Sequence, residues 1–428
     1  MDQPPSQTAI PPETKRVHLF SGGIGIFCLL ALLFVISQFI RVSNAVVAHE
    51  LVRDLDLSVT ELGLLGSAFF YAFAAVQIPL GWALDRFRPG LMVALIPLLC
   101  ALGIFLFSAA DGFGMAFAGR LLMGVGMSAA LMGSFKVFSI RYAPYHFATL
   151  CGVIVSIGTL GNMAASTPLV LLVEAVGWRM AFAMVGVGIV LISLANIRLL
   201  RSTNEDPGER AEASPAKTIS LKEGLKFLAR SLIFYQTAFI TFFRYGTFVA
   251  LQGLWGGPYL RDALGFSAVQ TGNILFFFAI GAVFGSTLSG RLSDRVFRTR
   301  KWVTVPAITV YTLMFLCLSG LVTVKSFWAN AVLFFLTAFF GSAAVIVYTH
   351  IKESCPKEMT GLALTSVNLF NMGGAAIVMH LLGYVVGYFH ETGGGYPPEA
   401  FHTAFFLCFL GNTAALIFYA FSKDTKPA

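Results

Sequence analysis

Twelve long apolar segments dominate this sequence and limit the structures that it can adopt. They lie at residues 20–50, 60–84, 89–110, 112–140, 146–174, 178–200, 231–260, 268–290, 301–322, 327–350, 358–388 and 401–421. Each has about the 20 residues that a helix needs to cross a bilayer. Because backbone groups find no water in lipid, each segment must be helical there. With 57% hydrophobic and 12% charged residues, against about 25% charged in soluble domains, the chain is expected to be a membrane protein.

An internal duplication relates the first six segments to the last six. The stretch from Gly81 to Arg86 follows segment 2, and a similar stretch from Gly290 to Arg295 follows segment 8, 209 residues later. Asn162 and Asn371 share the same offset. Two unrelated motifs with one offset indicate a repeat. The predicted fold class is therefore an all-α membrane protein, with twelve transmembrane helices in two pseudo-symmetric six-helix halves.

The remaining segments of the chain define the predicted domain organisation. The six-helix halves occupy residues 19–200 and 231–422, and they are called the N-terminal and C-terminal repeats below. A linker at 201–230 joins them, and it contains a predicted amphipathic surface helix at 217–230. Short polar tails at 1–18 and 423–428 complete the chain. This division predicts two bodies that move relative to each other.

Lysine and arginine are distributed asymmetrically between the connections. They concentrate in the first tail and the even-numbered connections, at Lys15, Arg16, Arg86, Arg88, Arg141, Arg291, Arg295, Arg298, Arg300, Lys301, Lys352 and Lys357. The odd-numbered connections are poorer in Lys and Arg and hold Asp54, Asp56, Glu61, Asp111, Glu174, Glu391 and Glu399. These two sides are called the basic end and the acidic end below. The positive-inside rule predicts that both termini and the basic end are cytoplasmic, in the inner membrane.

The Gly-x-x-x-Asp-Arg pattern after segments 2 and 8, within a 6+6 repeat, resembles the major facilitator superfamily. The resemblance covers nearly the whole chain. It implies a gating role at the cytoplasmic side for Gly81, Asp85, Arg86, Gly290, Asp294 and Arg295. Physically, each carboxylate can accept hydrogen bonds from a helix N-terminus and can pair with a nearby arginine. The alternative is that these charges only set the topology of the chain.

A second motif lies in segment 4, where the stretch from Arg120 to Gly126 resembles the Arg-x-x-x-Gly motif of proton-coupled family members. The resemblance implies a coupling role for Arg120, with a proton as coupling ion. Met123 departs from the Gln that often stands there in the family. Gly124 and Gly126 permit close helix packing. The alternative is a structural arginine that donates to backbone carbonyls.

Two arginines within apolar segments point to the substrate. Arg41 lies in segment 1 and Arg244 in segment 7, and the central parts of the segments contain no Asp or Glu. Buried arginine is costly without a partner, and its planar fork suits carboxylate or phosphate. The pattern therefore predicts an anionic substrate. Segment 1 also resembles that of organic-anion carriers and organophosphate antiporters, and Arg244-Tyr245-Gly246 resembles a triplet of the organophosphate branch.

The match to that branch has two departures. The repeat pairs Arg41 with Ala250, so Arg244 lies six residues away, about 9 Å of rise and 240° of rotation along an ideal helix. This offset argues against a symmetric clamp. Gln77 stands where the organophosphate branch tends to have lysine, which weakens a phosphate assignment. Gln77 is nevertheless a candidate substrate contact. Further candidates are Asn162, Asn368, Asn371, Tyr71 and Tyr245, each of which has helix packing as its alternative.

These observations predict a secondary active transporter, a symporter or antiporter, that moves a small organic anion by alternating access. An exporter of amphipathic compounds, of drug or siderophore type, is the first alternative and is supported by 14% aromatic residues. A non-transporting membrane receptor or scaffold is the second. The sequence has no nucleophile–base set, P-loop or metal-ligand spacing, so neither an enzyme nor a cofactor is expected. The expected partners are the substrate and the lipid bilayer, without nucleic acid, for a monomeric protein.

Overall fold

The computed structural model describes residues 23–142, 144–201, 221–321, 325–356, 359–389 and 395–425, which form helices and no β-strand. The α-helices are α1 Ile24–Val42, α2 Asn44–Leu55, α3 Val59–Ala75, α4 Gln77–Arg86, α5 Pro89–Ser108, α6 Phe113–Met127, α7 Ala129–Arg141, α8 Pro144–Ala164, α9 Thr167–Arg201, α10 Leu221–Arg230, α11 Leu232–Ala250, α12 Gly256–Pro258, α13 Ala268–Arg291, α14 Lys301–Leu316, α15 Phe327–Gly341, α16 Ile346–Ser354, α17 Thr360–Gly387 and α18 Pro398–Ala420. The first tail, linker residues 202–220 and the side chain of Asp85 lie outside this description.

The described parts of all twelve predicted segments are helical, although many of these helices are interrupted. Nine helices of the described part are long and apolar enough to cross a membrane, or ten when the α3–α4 pair, bent by 41°, counts as one. Gly177, with φ 78° and ψ 156°, breaks α9 between segments 5 and 6, where the sequence predicted a boundary. The apolar helix of segment 5, Thr149–Ala164, is too short to be included in this number. The count of twelve crossings stays a prediction.

The duplication is visible in the local structure of the chain. Ser58 starts α3 with a capping box in which Glu61 bonds back to the Ser58 backbone. Ser267 starts α13 with the same arrangement through Gln270. Both pairs of residues are 209 apart, and a capping box satisfies backbone donors that a helix start would leave free. The repeat thus preserves the helix start as well as the apolar pattern.

The first helix of each repeat is interrupted at corresponding positions. A turn at Ser43 separates α1 from α2, and a π-helical segment at Leu251–Trp255 follows α11. Ser43 and Gln252 are repeat mates, 209 residues apart. A π-helical turn takes more residues than an α-helical one. A register calculated on an ideal helix therefore does not hold through this part of segment 7.

Glycines bring the two repeats together at the acidic end. A Cβ placed on Gly63 of α3 would lie 2.9 Å from the Gly383 Cα of α17. One placed on Gly257 of α12 would lie 1.8 Å from the Ala45 carbonyl oxygen of α2. Gly272 of α13 packs against Thr167 and Val170 of α9 in the same way. Backbone contact this close requires small residues. These contacts close the acidic end of the interface between the repeats.

The basic end differs from this arrangement. No atom of the described residues lies within 4 Å of a Cβ placed on Gly81 or Gly290. In this conformation Gly81 makes no close helix contact with the described residues, and its gating role stays a prediction. The linker helix α10 spans Leu221–Arg230, and residues 217–220 of the predicted helix lie outside the described part. Gly224 of α10 packs against Leu362 of α17.

Candidate substrate site

Two buried arginines lie in the first helices of the two repeats. Arg41 is in the last turn of α1 and is 9% exposed, and Arg244 is in α11 and is 7% exposed. All 21 Asp and Glu residues of the sequence lie at the ends of the apolar segments or between them. Within the described residues neither arginine has a salt bridge. The interior of the bundle therefore carries positive charge that its own carboxylates do not balance.

Aromatic rings hold the Arg41 guanidinium. Its Cζ lies 4.7 Å from the ring centre of Phe73 and 5.9 Å from that of Phe69, both on α3. Its Nε is buried and donates to no group in the described part of the chain. Stacking on aromatic faces stabilises the cation but satisfies none of its donors. Arg41 is thus oriented by the protein and retains hydrogen-bonding capacity for an anion.

Arg120 of α6 is fully buried and supports the segment that carries Arg41. Its Nη1 donates to the Ile40 carbonyl oxygen at 3.1 Å, beside the interruption at Ser43. Its Cζ lies 5.6 Å from the Phe69 ring centre, so the same ring contacts both guanidinium groups. Gly124 packs on the Phe69 carbonyl and Gly126 on Cys100, as the motif predicts. The contacts of Arg120 fit the structural alternative, and its coupling role stays a prediction.

Arg244 lies in a more rigid setting. Its Cζ is 5.4 Å from the Tyr245 ring centre and 5.8 Å from that of Phe248. The Tyr311 hydroxyl hydrogen-bonds to the Arg244 carbonyl oxygen at 3.1 Å and to Thr247 at 2.8 Å. The Nε of Arg244 is buried, with no acceptor among the described residues. Hydrogen bonds to the backbone therefore fix the position of the arginine and leave part of the guanidinium free.

Tyr348 of α16 is half-buried and lies within electrostatic range of both Arg41 and Arg244. Its hydroxyl donates to Asn368 Oδ1 at 3.3 Å. The six-residue offset of Arg244 from the symmetric position stands, because Arg244 and Ala250 both lie in the regular α-helix α11, before the π-helical segment.

The other predicted contacts are more dispersed. Asn371 of α17 is 5% exposed and its Oδ1 has no partner among the described residues, whereas Asn162 of α8 is half-buried. Gln77 is buried at the bend between α3 and α4. The Tyr71 hydroxyl bonds to His380 Nδ1 at 3.2 Å, which links α3 to α17 across the repeats. Tyr71 therefore contacts the interface between the repeats.

Charged pairs at the acidic end were not predicted from the sequence. His49 Nε2 lies 2.5 Å from Asp262 Oδ1, and Arg261 Nη1 lies 3.5 Å from Glu50 Oε1. Both pairs join the two repeats, and they line a cavity of about 320 Å³. In this region a hydrogen bond from Arg53, followed by one from Trp178, lowers the pKa of the Asp54 carboxyl. These pairs could not be predicted from the sequence, because the two residues of each pair are more than 200 positions apart.

The gating residues of the C-terminal repeat form a network at the basic end. Asp294 accepts a hydrogen bond from Arg300, which also donates to Glu353 Oε1 at 2.7 Å. The Asp294 carboxylate thus pairs with a nearby arginine, and its gating role stays a prediction. Arg295 is exposed. In the N-terminal repeat, Arg86 is exposed, with its Cζ 5.6 Å from the Trp82 ring centre.

Comparison with known proteins identifies the family. The sequence model of the Major Facilitator Superfamily matches residues 27–379 and 237–428. The probable sulfoacetate transporter SauU of Cupriavidus necator is 26% identical over 283 residues, 64% of this chain and 65% of that protein. The probable galactarate/D-glucarate transporter GarP of Escherichia coli K12 is 24% identical over 386 residues, 82% and 85% of the two chains.

A solved structure has the same fold. The bacterial homologue of the human lysosomal transporter Spinster, in its inward-facing and unoccupied conformation, matches with a TM-score of 0.74. The sequences are 16% identical, and the match covers 93% of this chain and 96% of that one. This chain belongs to the major facilitator superfamily. It is an all-α, multi-pass membrane transporter rather than an enzyme, which confirms the fold class and the broad function predicted from the sequence.

Proposed function

We propose that this transporter moves a small organic anion across the cytoplasmic membrane by alternating access, with Arg41 as the main anchor. The observation that carries the proposal is a buried arginine with a free Nε and no carboxylate partner in the described part of the chain. An unpaired arginine at mid-membrane costs at least ~2.5 kcal/mol. An anion that enters through a water-filled cavity supplies the missing partner during each cycle.

Several further observations support this assignment. Arg244 provides a second buried arginine, with an Nε that has no acceptor among the described residues. Related proteins are named as transporters of sulfoacetate and of galactarate/D-glucarate, all of which are organic acids. A carrier of cationic drugs would need an intramembrane carboxylate, and the apolar segments hold none in their central parts. A proton is the proposed coupling ion.

The closed acidic end defines the conformation in this proposal. The repeats are joined there by the His49–Asp262 and Glu50–Arg261 pairs and by glycine contacts. With the basic end in the cytoplasm, the closed acidic end faces outward and these pairs form the outer gate. Alternating access then requires both pairs to separate when the gate that contains Asp294 and its counterpart Asp85 closes at the opposite end.

Binding of an anion panel tests the proposed function. We expect sugar acids, sulfonates or dicarboxylates to raise the melting temperature of the purified protein, because a ligand that binds only the folded state stabilises it by mass action. Cationic and neutral amphiphiles serve as the matched negative panel. Stabilisation by amphiphiles alone, with no shift from any anion, would instead support the exporter.

The proposed orientation has its own test. A reporter fused after Ala428 is expected to behave as cytoplasmic, since the basic end carries the excess of Lys and Arg. A paired reporter at an acidic-end connection, between Asp111 and Phe113, should behave as extracytoplasmic. Reversed activities at the two positions would overturn the orientation and leave the anion assignment standing.

A further inference from the structure

We propose that Asn44, beside Arg41, recognises the hydroxyl groups of the substrate by hydrogen bonding. The substrate is then a hydroxylated organic acid such as a sugar acid. This inference rests on the proposed function and narrows its substrate class. Sequence analysis did not select Asn44 as a site residue. It stands at the start of α2, directly after the interruption at Ser43.

Asn44 extends a buried polar face that includes Arg41. Ser37, Arg41 and Asn44 follow one another at spacings of four and three residues, which puts them on the same side of an α-helix. Ser37 and Asn44 are fully buried and Arg41 is 9% exposed. Each has at least one polar atom that bonds to nothing in the described residues. A run of three such residues in an apolar segment is expensive without a ligand or water.

The neighbours of Asn44 lie where the two repeats meet. A Cβ placed on Gly253 would be 3.1 Å from the Arg41 carbonyl oxygen, and one placed on Gly257 would be 1.8 Å from that of Ala45. Residues 41–45 therefore contact segment 7 of the other repeat, below the His49–Asp262 pair. Secondary transporters that are built from structural repeats bind their substrate at the interface between the repeats. The position of Asn44 is thus that of a substrate contact.

The chemistry of the free atoms favours a hydroxylated ligand. Neither Nδ2 nor Oδ1 of Asn44 has a partner in the described part of the chain. Arginine only donates hydrogen bonds, and an ionised carboxylate, sulfonate or phosphate only accepts them. Such an anion can satisfy Arg41 and Asn44 Nδ2 but leaves Oδ1 without a donor. A hydroxyl on the carbon chain donates to Oδ1 and accepts from Nδ2, so it satisfies both.

Free amide atoms alone are not sufficient for this assignment. Asn196 of α9 is also fully buried with both amide atoms free of partners among the described residues. It lies, however, between Gly186, which packs on Phe105, and Leu200, which packs on Gly90, in the contact between α5 and α9. That contact is internal to the N-terminal repeat. Asn196 is therefore a matched control, with the same chemistry and burial but away from Arg41.

Paired ligands test the inference. Affinities of wild type, Asn44→Leu, Asn196→Leu and Arg41→Ala are measured by calorimetry for galactarate and for adipate, which has the same carbon chain and charge without hydroxyls. Wild type is expected to prefer galactarate, since a site built for hydroxyls rejects analogues that lack them. Asn44→Leu should bind galactarate about 10-fold or more weakly and adipate within about 3-fold of wild type. Melting temperatures without ligand identify any variant that fails to fold.

Each result has a distinct meaning. Loss of the galactarate preference in Asn44→Leu, with the preference kept in Asn196→Leu, supports the inference. Equal binding of the two acids by wild type, or an unchanged preference in Asn44→Leu, overturns it while the anion assignment stands. A wild type that binds neither acid but binds sulfoacetate also overturns it. If no anion binds at all, the proposed function fails and the inference fails with it. A misfolded Asn44→Leu is replaced by Asn44→Ala, judged by the same criteria.

Discussion

Arg41→Ala is expected to weaken binding of the transported anion by at least about 30-fold while the protein still inserts and folds. Truncating one partner of a buried charge pair typically costs about 2–5 kcal/mol. Here the anion would enter a low-dielectric site with one cation fewer. Folding should survive, because Arg41 makes no salt bridge among the described residues and its aromatic contacts are weak. The measurement is ligand affinity in detergent or nanodiscs.

Two other variants separate charge from geometry at this site. Arg41→Lys keeps the charge but loses the planar fork, so its affinity should fall less than that of Arg41→Ala. Arg244→Ala should give a smaller defect, because Arg244 is displaced from the symmetric position and its backbone is fixed by Tyr311. Unchanged affinity in Arg41→Ala would make Arg41 a structural charge. That result would favour an exporter with an aromatic, non-ionic pocket.

Asp85→Asn is expected to slow transport by about tenfold or more and to leave substrate affinity nearly unchanged. A hydrogen bond to a charged group contributes about 1.5–3 kcal/mol, enough to shift the balance between two conformers by that factor. In the proposed mechanism the charge serves the gate at the basic end, whereas Arg41 lies in the last turn of α1, where it contacts the other repeat. Uptake rate and equilibrium affinity, measured on the same preparation, distinguish the two effects.

Asp294→Asn is the matched variant in the other repeat. Asp294 pairs with Arg300, and Arg300 also holds Glu353, so the network retains one carboxylate after the substitution. Its transport defect should therefore be related to that of Asp85→Asn but smaller. Wild-type transport rates in Asp85→Asn would show that the motif sets topology without forming a latch. A loss of affinity equal to the loss of rate would contradict a purely gating role.

Much of the fold could be predicted because it depends on local pattern and on the repeat. Apolar length predicts helix in lipid without knowledge of any contact. The 209-residue offset extends to features that were not predicted, such as the capping boxes at Ser58 and Ser267. It also relates the helix interruptions at Ser43 and Gln252. A duplicated sequence therefore constrains local structure in both repeats at once.

The candidate site was less predictable because its geometry depends on long-range packing. Arg41 and Arg244 were found from their charge within apolar segments, but the rings of Phe69 and Phe73 that contact Arg41 were not. The π-helical segment at Leu251–Trp255, which follows α11, was not predicted either. Asn44 could have been selected from the sequence, since it is a polar residue one turn after Arg41. The His49–Asp262 pair could not, because the two residues are 213 positions apart.

Uptake into proteoliposomes tests the central claim most directly. Purified wild type and Arg41→Ala are reconstituted at equal density and supplied with radiolabelled galactarate or sulfoacetate from outside. We predict saturable uptake of at least one of the two acids by wild type, and loss of that uptake in Arg41→Ala, with Asn196→Leu close to wild type. Equal uptake by wild type and Arg41→Ala would contradict the account of Arg41 as the anchor of an anionic substrate.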